Sequence, residues 1–332
     1  MRQRHQILIS LGMLLVAAFS ASCQKPFHEE TEQYILVASN INLEYWQDAR
    51  AGLDDAARGF RVKADLRGPT YHSPEEELKV FKEAVAQHPT GIMVSPARPD
   101  LFSAAINEAI SAGIPVITMD TDAPDSKRIL YIGTDNRQAG MESGRQIASL
   151  MNGKGHLVVV TVAGQLNVEE RLRGAQEVFA KYPGIKIAHT LDDQGDPRTA
   201  NDLVSDLFKK NETVDGILCL EASGGPGVGE TLHRLNLDGK IPVVAMDRNP
   251  ETLDFIQQKV ISVTIGQKPY TMAFYGLRFL DDLHHNAVHE FKDWQTAPAS
   301  PLPARVDTGT TVINVSNLAA FRAAMASHQN PL

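Results

Sequence analysis

The sequence predicts an α/β fold of two doubly wound lobes, each built on a parallel sheet. Three observations point to it: an internal repeat, apolar runs without period-two alternation, and helical patterns between those runs. Ile114-Pro115-Val116-Ile117-Thr118-Met119-Asp120 recurs as Ile241-Pro242-Val243-Val244-Ala245-Met246-Asp247, and Gly91-Ile92-Met93-Val94 recurs as Gly216-Ile217-Leu218-Cys219. The run from Tyr34 to Ala38 has a counterpart from His156 to Val160. The connecting segment from Ala51-Gly52 to Ala64-Asp65 lines up with that from Arg173-Gly174 to Lys186-Ile187. Copies of about 100 to 150 residues are domain-sized and imply two like lobes rather than a solenoid. Two lobes enclose a cleft, a favoured place for a ligand.

The strands follow from hydrophobicity. Runs at Tyr34 to Ala38, Gly91 to Val94, Pro115 to Met119, His156 to Val162, Gly216 to Leu220 and Pro242 to Met246 are continuously apolar, as strands buried on both faces must be. Between them, Ala49, Leu53, Ala56 and Phe60 fall at helical spacing. So do Leu78, Phe81 and Val85, and then Leu101, Ala105 and Ala109. Strand alternating with helix requires parallel pairing through right-handed crossovers.

At 332 residues, with 43% hydrophobic and 22% charged residues, the chain has material for two cores. Its formal charge of -8 and the absence of a Lys/Arg run exclude a nucleic-acid surface. At the N-terminus, Arg2 and Arg4 precede an apolar stretch of 13 residues, Ile7 to Phe19, and Ser20-Ala21-Ser22 leads to Cys23. That stretch is shorter than the ~20 residues of a membrane-spanning helix and reads as an export signal. Small residues before Cys23 resemble the bacterial lipoprotein processing site, which makes Cys23 the expected lipidated residue and the membrane the expected anchor point. Ser20 stands where that site usually has Leu. Gln24 to Glu32, polar and carrying Pro26, are expected to form a tether. Cys219 lies in an apolar run, as a buried, inert thiol would.

Ligands of doubly wound sheets bind beyond the carboxyl ends of the strands. That rule selects Ser39 and Asn40, Ser95, Asp120, Gly164 and Gln165, Glu221 to Ser223, and Asp247, with Tyr45 and Trp46 at the same rim. Aromatic faces beside carboxylates, amides and a guanidinium suit a sugar, whose C–H face stacks while its hydroxyls need donors and acceptors.

These residues carry a family resemblance. Asn42-Leu43-Glu44-Tyr45-Trp46, Gly113-Ile114-Pro115-Val116, Asp120 to Pro124, Tyr131-Ile132-Gly133-Thr134-Asp135-Asn136 and Ala245-Met246-Asp247 resemble the type I periplasmic sugar-binding proteins, over a span from about Tyr34 to the closing run Val306-Asp307-Thr308-Gly309. The resemblance implies lobes joined by three crossovers: an N-terminal lobe of 33–134 plus about 268–300, and a C-terminal lobe of 135–267 plus about 301–320. It implies a monomer that closes on one monosaccharide and delivers it to an ABC permease with its ATPase subunit, or feeds a chemoreceptor or sensor kinase. No enzyme activity, cofactor or metal is implied. Tyr45 and Trp46 match the pair that stacks on the sugar ring. Asp120 and Asn136 match polar ligands of the first lobe and first crossover. Arg171 matches an Arg of the second lobe, and Asp247 and Gln267 match a carboxylate and an amide near the last crossovers. Asn42 and Ser95 complete the expected ligand-binding set. Glu221-Ala222-Ser223 stands where the family often has Asn-Asp, and Thr121 where ribose binders place Arg, which disfavours ribose.

Other chemistries fit less well. Gly224-Gly225-Pro226-Gly227-Val228-Gly229 lacks the GK[ST] ending and GxGxxG spacing of a phosphate loop and is expected to be a tight rim loop. His285 and His289, four apart, have no evident third metal ligand and are expected on an exposed helix. Asp120-Thr121-Asp122 is the pattern of an Asp-nucleophile phosphatase, but follows the fourth strand rather than the first. A sugar-responsive repressor would need a basic helix-turn-helix head where the export signal lies.

Overall fold

The computed structural model describes residues 27–328; the expected signal and Cys23 lie outside them. The first lobe opens with β1 (Gln33–Val37), α1 (Glu44–Phe60), β2 (Lys63–Arg67), α2 (Pro74–Val85), β3 (Gly91–Val94), α3 (Pro99–Ser111), β4 (Val116–Met119) and β5 (Tyr131–Gly133). The second follows with α4 (Asn136–Leu150), β6 (Lys154–Thr161), α5 (Leu166–Phe179), β7 (Gly184–Asp192), α6 (Pro197–Lys209), β8 (Gly216–Cys219), α7 (Gly224–Arg234), β9 (Val243–Met246), α8 (Pro250–Gln257) and β10 (Val263–Gly266). The chain then returns through α9 (Pro269–His284) and β11 (Arg305–Asp307) before β12 (Thr311–Asn314) and α10 (Leu318–His328).

Two six-stranded sheets result, ordered β11-β5-β4-β3-β1-β2 and β12-β10-β9-β8-β6-β7. Every pairing is parallel except that of β12 with β10. The six apolar runs form β1, β3, β4, β6, β8 and β9 to within two residues at most ends, and their central residues are fully buried because helices cover both faces. Ala49, Leu53 and Ala56 of α1 pack with Leu277 and Leu280 of α9 on one face of the first sheet, while Phe81, Phe102 and Ala105 cover the other.

The chain crosses between sheets after Gly133, after Gly266 and after Asp307. The last crossing corrects the expected boundary near residue 301, because Arg305, Val306 and Asp307 pair with Tyr131, Ile132 and Gly133 of the first sheet. The expected tether is corrected too. Its described part, Phe27 to Glu32, packs on the end of α9, and Glu32 is buried. Nor is the glycine run a loop. Gly224 to Gly229 form the first turns of α7, where a Cβ on Gly227 would lie 2.3 Å from the Pro197 carbonyl oxygen and one on Gly229 2.3 Å from the Phe255 ring. The glycines let α7 approach its neighbours closely.

Candidate ligand cleft

Asp120 and Asp247 end equivalent strands of the two sheets, and both adopt left-handed backbone, with φ of 66° and 69°. Asp tolerates that conformation better than most side chains. Both carboxylates are buried. Asp120 Oδ1 accepts from the Tyr45 hydroxyl (2.7 Å), and Oδ2 accepts from Ser95 Oγ (3.2 Å) and, across the cleft, from Asn167 Nδ2 (3.3 Å). Asp247 Oδ1 accepts from Gln267 Nε2 at 2.9 Å. Burial lifts both carboxyl groups above their ordinary range against the opposing pull of Arg171, and Asp247 is pushed up to about 6.

Arg171 is the hub of the second lobe. Its Nε donates to Asn136 Oδ1 (2.8 Å), Nη1 to the Leu220 carbonyl (2.9 Å) and Nη2 to Gln267 Oε1 (2.9 Å), which also accepts from Thr134 Oγ1 at 2.8 Å. Thr134 lies on the first crossover and Gln267 on the second, so the guanidinium is tied to the hinge. Close approach of α4 and α5 makes this reach possible. A Cβ on Gly140 would lie 1.9 Å from the Arg171 carbonyl oxygen, and one on Gly174 2.1 Å from that of Arg137. Small residues on both helices bring their backbones together.

Glu221 faces the same space from the end of β8. Its carboxylate accepts from the backbone N–H groups of Ser223 and Gly224 (2.6 Å each) at the start of α7, where the helix dipole favours an anion. Asp193 lies beside it, fully buried, and burial together with the Glu221 charge raises its carboxyl well above the carboxylate range. Two acids so close in a buried setting disfavour a second negative charge there.

A cavity of about 60 Å³ lies between the lobes, reached by Trp46, His72, Asp120, Arg171, Glu221 and Asp247. A wider groove of about 530 Å³ opens outside Tyr45 and Asp247 toward Arg248, but Asp120, Arg171 and Gln267 do not line it. Of the expected site residues, Tyr45, Trp46, Asp120, Arg171, Asp247 and Gln267 line the inner cavity. Ser95 and Asn136 stand behind it, orienting Asp120 and Arg171. Asn42 does not reach it: the side chain is exposed and donates to the Thr70 carbonyl at 2.9 Å. The two aromatics meet edge to face, at 5.1 Å and 79°, with the Tyr45 hydroxyl committed to Asp120. They do not form parallel walls, and Trp46, 2% exposed, belongs as much to the core as to the cleft.

Asn167, His72, Asp193 and Thr134 were not legible as site residues. Asn167 had a signal, since it precedes Arg171 by four on α5 and so shares its face. His72 lies in a loop without periodicity; its Nδ1 meets Gln165 Nε2 of the other lobe at 3.3 Å. The phosphatase arrangement is not assembled. Both oxygens of Asp122 are held by Arg128 at 2.6 and 2.8 Å, turned away from the space beside Asp120.

Two lobes on parallel sheets, crossed three times and closed on a buried polar site, define a hinged binding protein. The model of the periplasmic binding protein domain matches residues 34–286. Among solved structures, the sugar-binding protein of a sugar ABC transporter from Bacillus halodurans is 33% identical, with a TM-score of 0.78 over 87% of this chain and 100% of that one. AraP, an arabinose-binding protein from Geobacillus stearothermophilus, is 31% identical, with a TM-score of 0.72 over 87% of this chain and 99% of that one. The D-allose-binding periplasmic protein of Escherichia coli (strain K12) is 23% identical over 280 residues, 81% of this chain and 87% of its own. The chain belongs to the type I periplasmic sugar-binding protein family. Family membership implies a periplasmic or extracellular location.

Proposed function

We propose that this protein is an exported receptor that captures a monosaccharide between its lobes and delivers it to an ABC permease. The cavity's donor and acceptor balance carries the proposal. Asp120, Asp247 and Glu221 face one guanidinium, Arg171, so acceptors predominate among the charged groups, while Asn40, Asn167 and Gln267 add amides that both donate and accept, as a ligand rich in hydroxyls requires. The similarity to proteins named for binding arabinose and D-allose supports the same substrate class. Trp46 offers the apolar surface, Asp120 and Asp247 accept from hydroxyls, and Arg171 with Gln267 fixes the second lobe's share of the site. Because both lobes contribute, sugar favours the shut form, and the permease distinguishes loaded from empty receptor by that shape. The protein acts as a monomer, held to the membrane through a lipid on Cys23.

Calorimetry of the purified protein against pentoses, hexoses and polyols tests the proposal. One sugar bound per chain is expected, with no metal or nucleotide requirement. Absence of heat across the panel, with phosphatase turnover lost in Asp120→Asn, would overturn it. Cys23→Ser should release the protein into the soluble exported fraction with sugar binding intact; unchanged membrane attachment would count against the anchor.

A further inference from the structure

We propose a second site, a divalent metal site for zinc, formed by His28, Glu32, Asp281 and His285 at the end of the first sheet away from the sugar cleft. Each of the four side chains offers one ligand atom, and all four atoms lie within 4.8 Å of one another. His28 Nε2 stands 3.1 Å from Asp281 Oδ1, His285 Nε2 3.1 Å from Glu32 Oε2 and 3.7 Å from Asp281 Oδ1. A tetrahedral zinc site with bonds of ~2.0–2.1 Å has ligand–ligand edges of about 3.3–3.4 Å; these three separations lie close to that, and the 4.8 Å bound on the rest leaves small side-chain shifts to complete one coordination shell. Two imidazoles and two carboxylates also match in charge, since a divalent cation neutralises the two acids and each neutral ring offers a lone pair.

The surroundings hold the ligands in place. Tyr34 Oη donates to Asp281 Oδ1 at 3.2 Å, and the Glu29 backbone N–H donates to Glu32 Oε1 at 2.7 Å, leaving Oε2 turned to His285. Such outer hydrogen bonds orient metal-binding carboxylates. Phe27 stacks on His285 with centroids 4.4 Å apart, and His28 stacks on Phe60 at 5.0 Å. Glu32 and Asp281 are buried and the two histidines nearly so. His285 and His289 do not share the exposed helix expected of them. α9 ends at His284, which leaves His289 exposed in the following turn, and Asp281 is the residue that joins His285. Bound zinc would clamp the segment Phe27 to Glu32 onto the end of α9, next to where that segment enters β1. The site does not depend on the identity of the cleft's ligand.

The test uses tag-free protein stripped with chelator, titrated with zinc chloride and separately with cobalt chloride. Expected results are one zinc per chain with a submicromolar Kd, a melting temperature raised by about 5 °C or more at saturation, and the visible absorption of tetrahedral cobalt. His28→Gln and His285→Gln, at partly exposed positions that should still fold, are each expected to weaken zinc about 100-fold or more while sugar titrations stay unchanged. Tyr34→Phe keeps all four ligands and should weaken zinc about 10- to 100-fold. His289→Gln should bind as the parent does. No stoichiometric zinc in the parent, octahedral cobalt, or zinc retained by the His28→Gln/His285→Gln double variant would overturn the site and leave two histidine–carboxylate hydrogen bonds in its place.

Discussion

Asn167 Nδ2 donates to Asp120 Oδ2 over 3.3 Å, joining the first turn of α5 in one lobe to the end of β4 in the other. The bond spans the cleft, so it forms only when the lobes are shut. A single neutral-to-carboxylate bond of this kind contributes about 1–2 kcal/mol. Asn167→Ala is therefore expected to weaken sugar binding about tenfold and to reduce the compaction that sugar produces in solution scattering. Parent-like affinity and parent-like compaction would show that the bond plays no part in closure.

Asp247 gives the shut cleft a pH signature. Its carboxyl sits at about 6 in the fold, against ~3.9 in an unfolded chain. The folded state therefore holds this proton more tightly. The resulting stabilisation is full below about pH 4 and is lost as pH rises through 6, on the order of 2–3 kcal/mol. Subtracting the stability of Asp247→Asn from that of the parent at each pH should give a curve that declines across this window. A flat difference would mean that Asp247 is solvated, as in an open cleft.

Trp46 must be probed gently, because it is part of the first lobe's core. Trp46→Ala should cost about 3–5 kcal/mol of folding stability, so lost binding in that variant would be ambiguous. Trp46→Phe keeps an apolar ring and should retain most of the stability while weakening sugar about three- to tenfold. Unchanged affinity, with chemical denaturation confirming the fold, would remove Trp46 from the site.

Gly140 lies outside the cavity yet should affect it. A methyl group at this position meets the Arg171 carbonyl oxygen and must push α5 from α4, at a cost of about 1–3 kcal/mol or more. Gly140→Ala is expected to lower both stability and sugar affinity, because Arg171 loses its alignment with Asn136 and Gln267. Gly59→Ala is the control, since no atom lies within 4 Å of its Cβ and Ala favours helix. Equal behaviour of the two variants in thermal unfolding would refute the close-packing account.

The six strands legible as apolar runs are covered on both faces, but the apolar stretches within β5 and β10, also buried along their length, are too short to stand out as runs. β2 and β7 escaped as apolar runs because they are edge strands. β7 carries exposed Lys186, Ala188 and Thr190, and only Leu66 of β2 is fully buried, so neither reads as a continuous apolar run. Within the site, strand-end residues such as Asp120 and Asp247 were legible because a parallel sheet delivers its strand ends to one rim. Asn42 lies outside the cavity, since one position in a turn decides whether an amide faces the cleft or the Thr70 carbonyl. Asn136 and Ser95 were found for the right neighbourhood, but they act on Arg171 and Asp120 from behind.

The sequence by itself determined the repeat, the two parallel sheets and the rim on which their chemistry lies, because hydrophobic periodicity and strand-end geometry are local properties of the chain. Only the tertiary structure decided which polar groups meet. Asn167 reaches Asp120 across 47 positions, Gln267 reaches Thr134 across 133, and His28 and His285 reach Asp281 and Glu32 across 253. Such pairs are set by how finished helices pack and where crossovers bring them together, and a side chain's partner at that range leaves no period in the sequence around it.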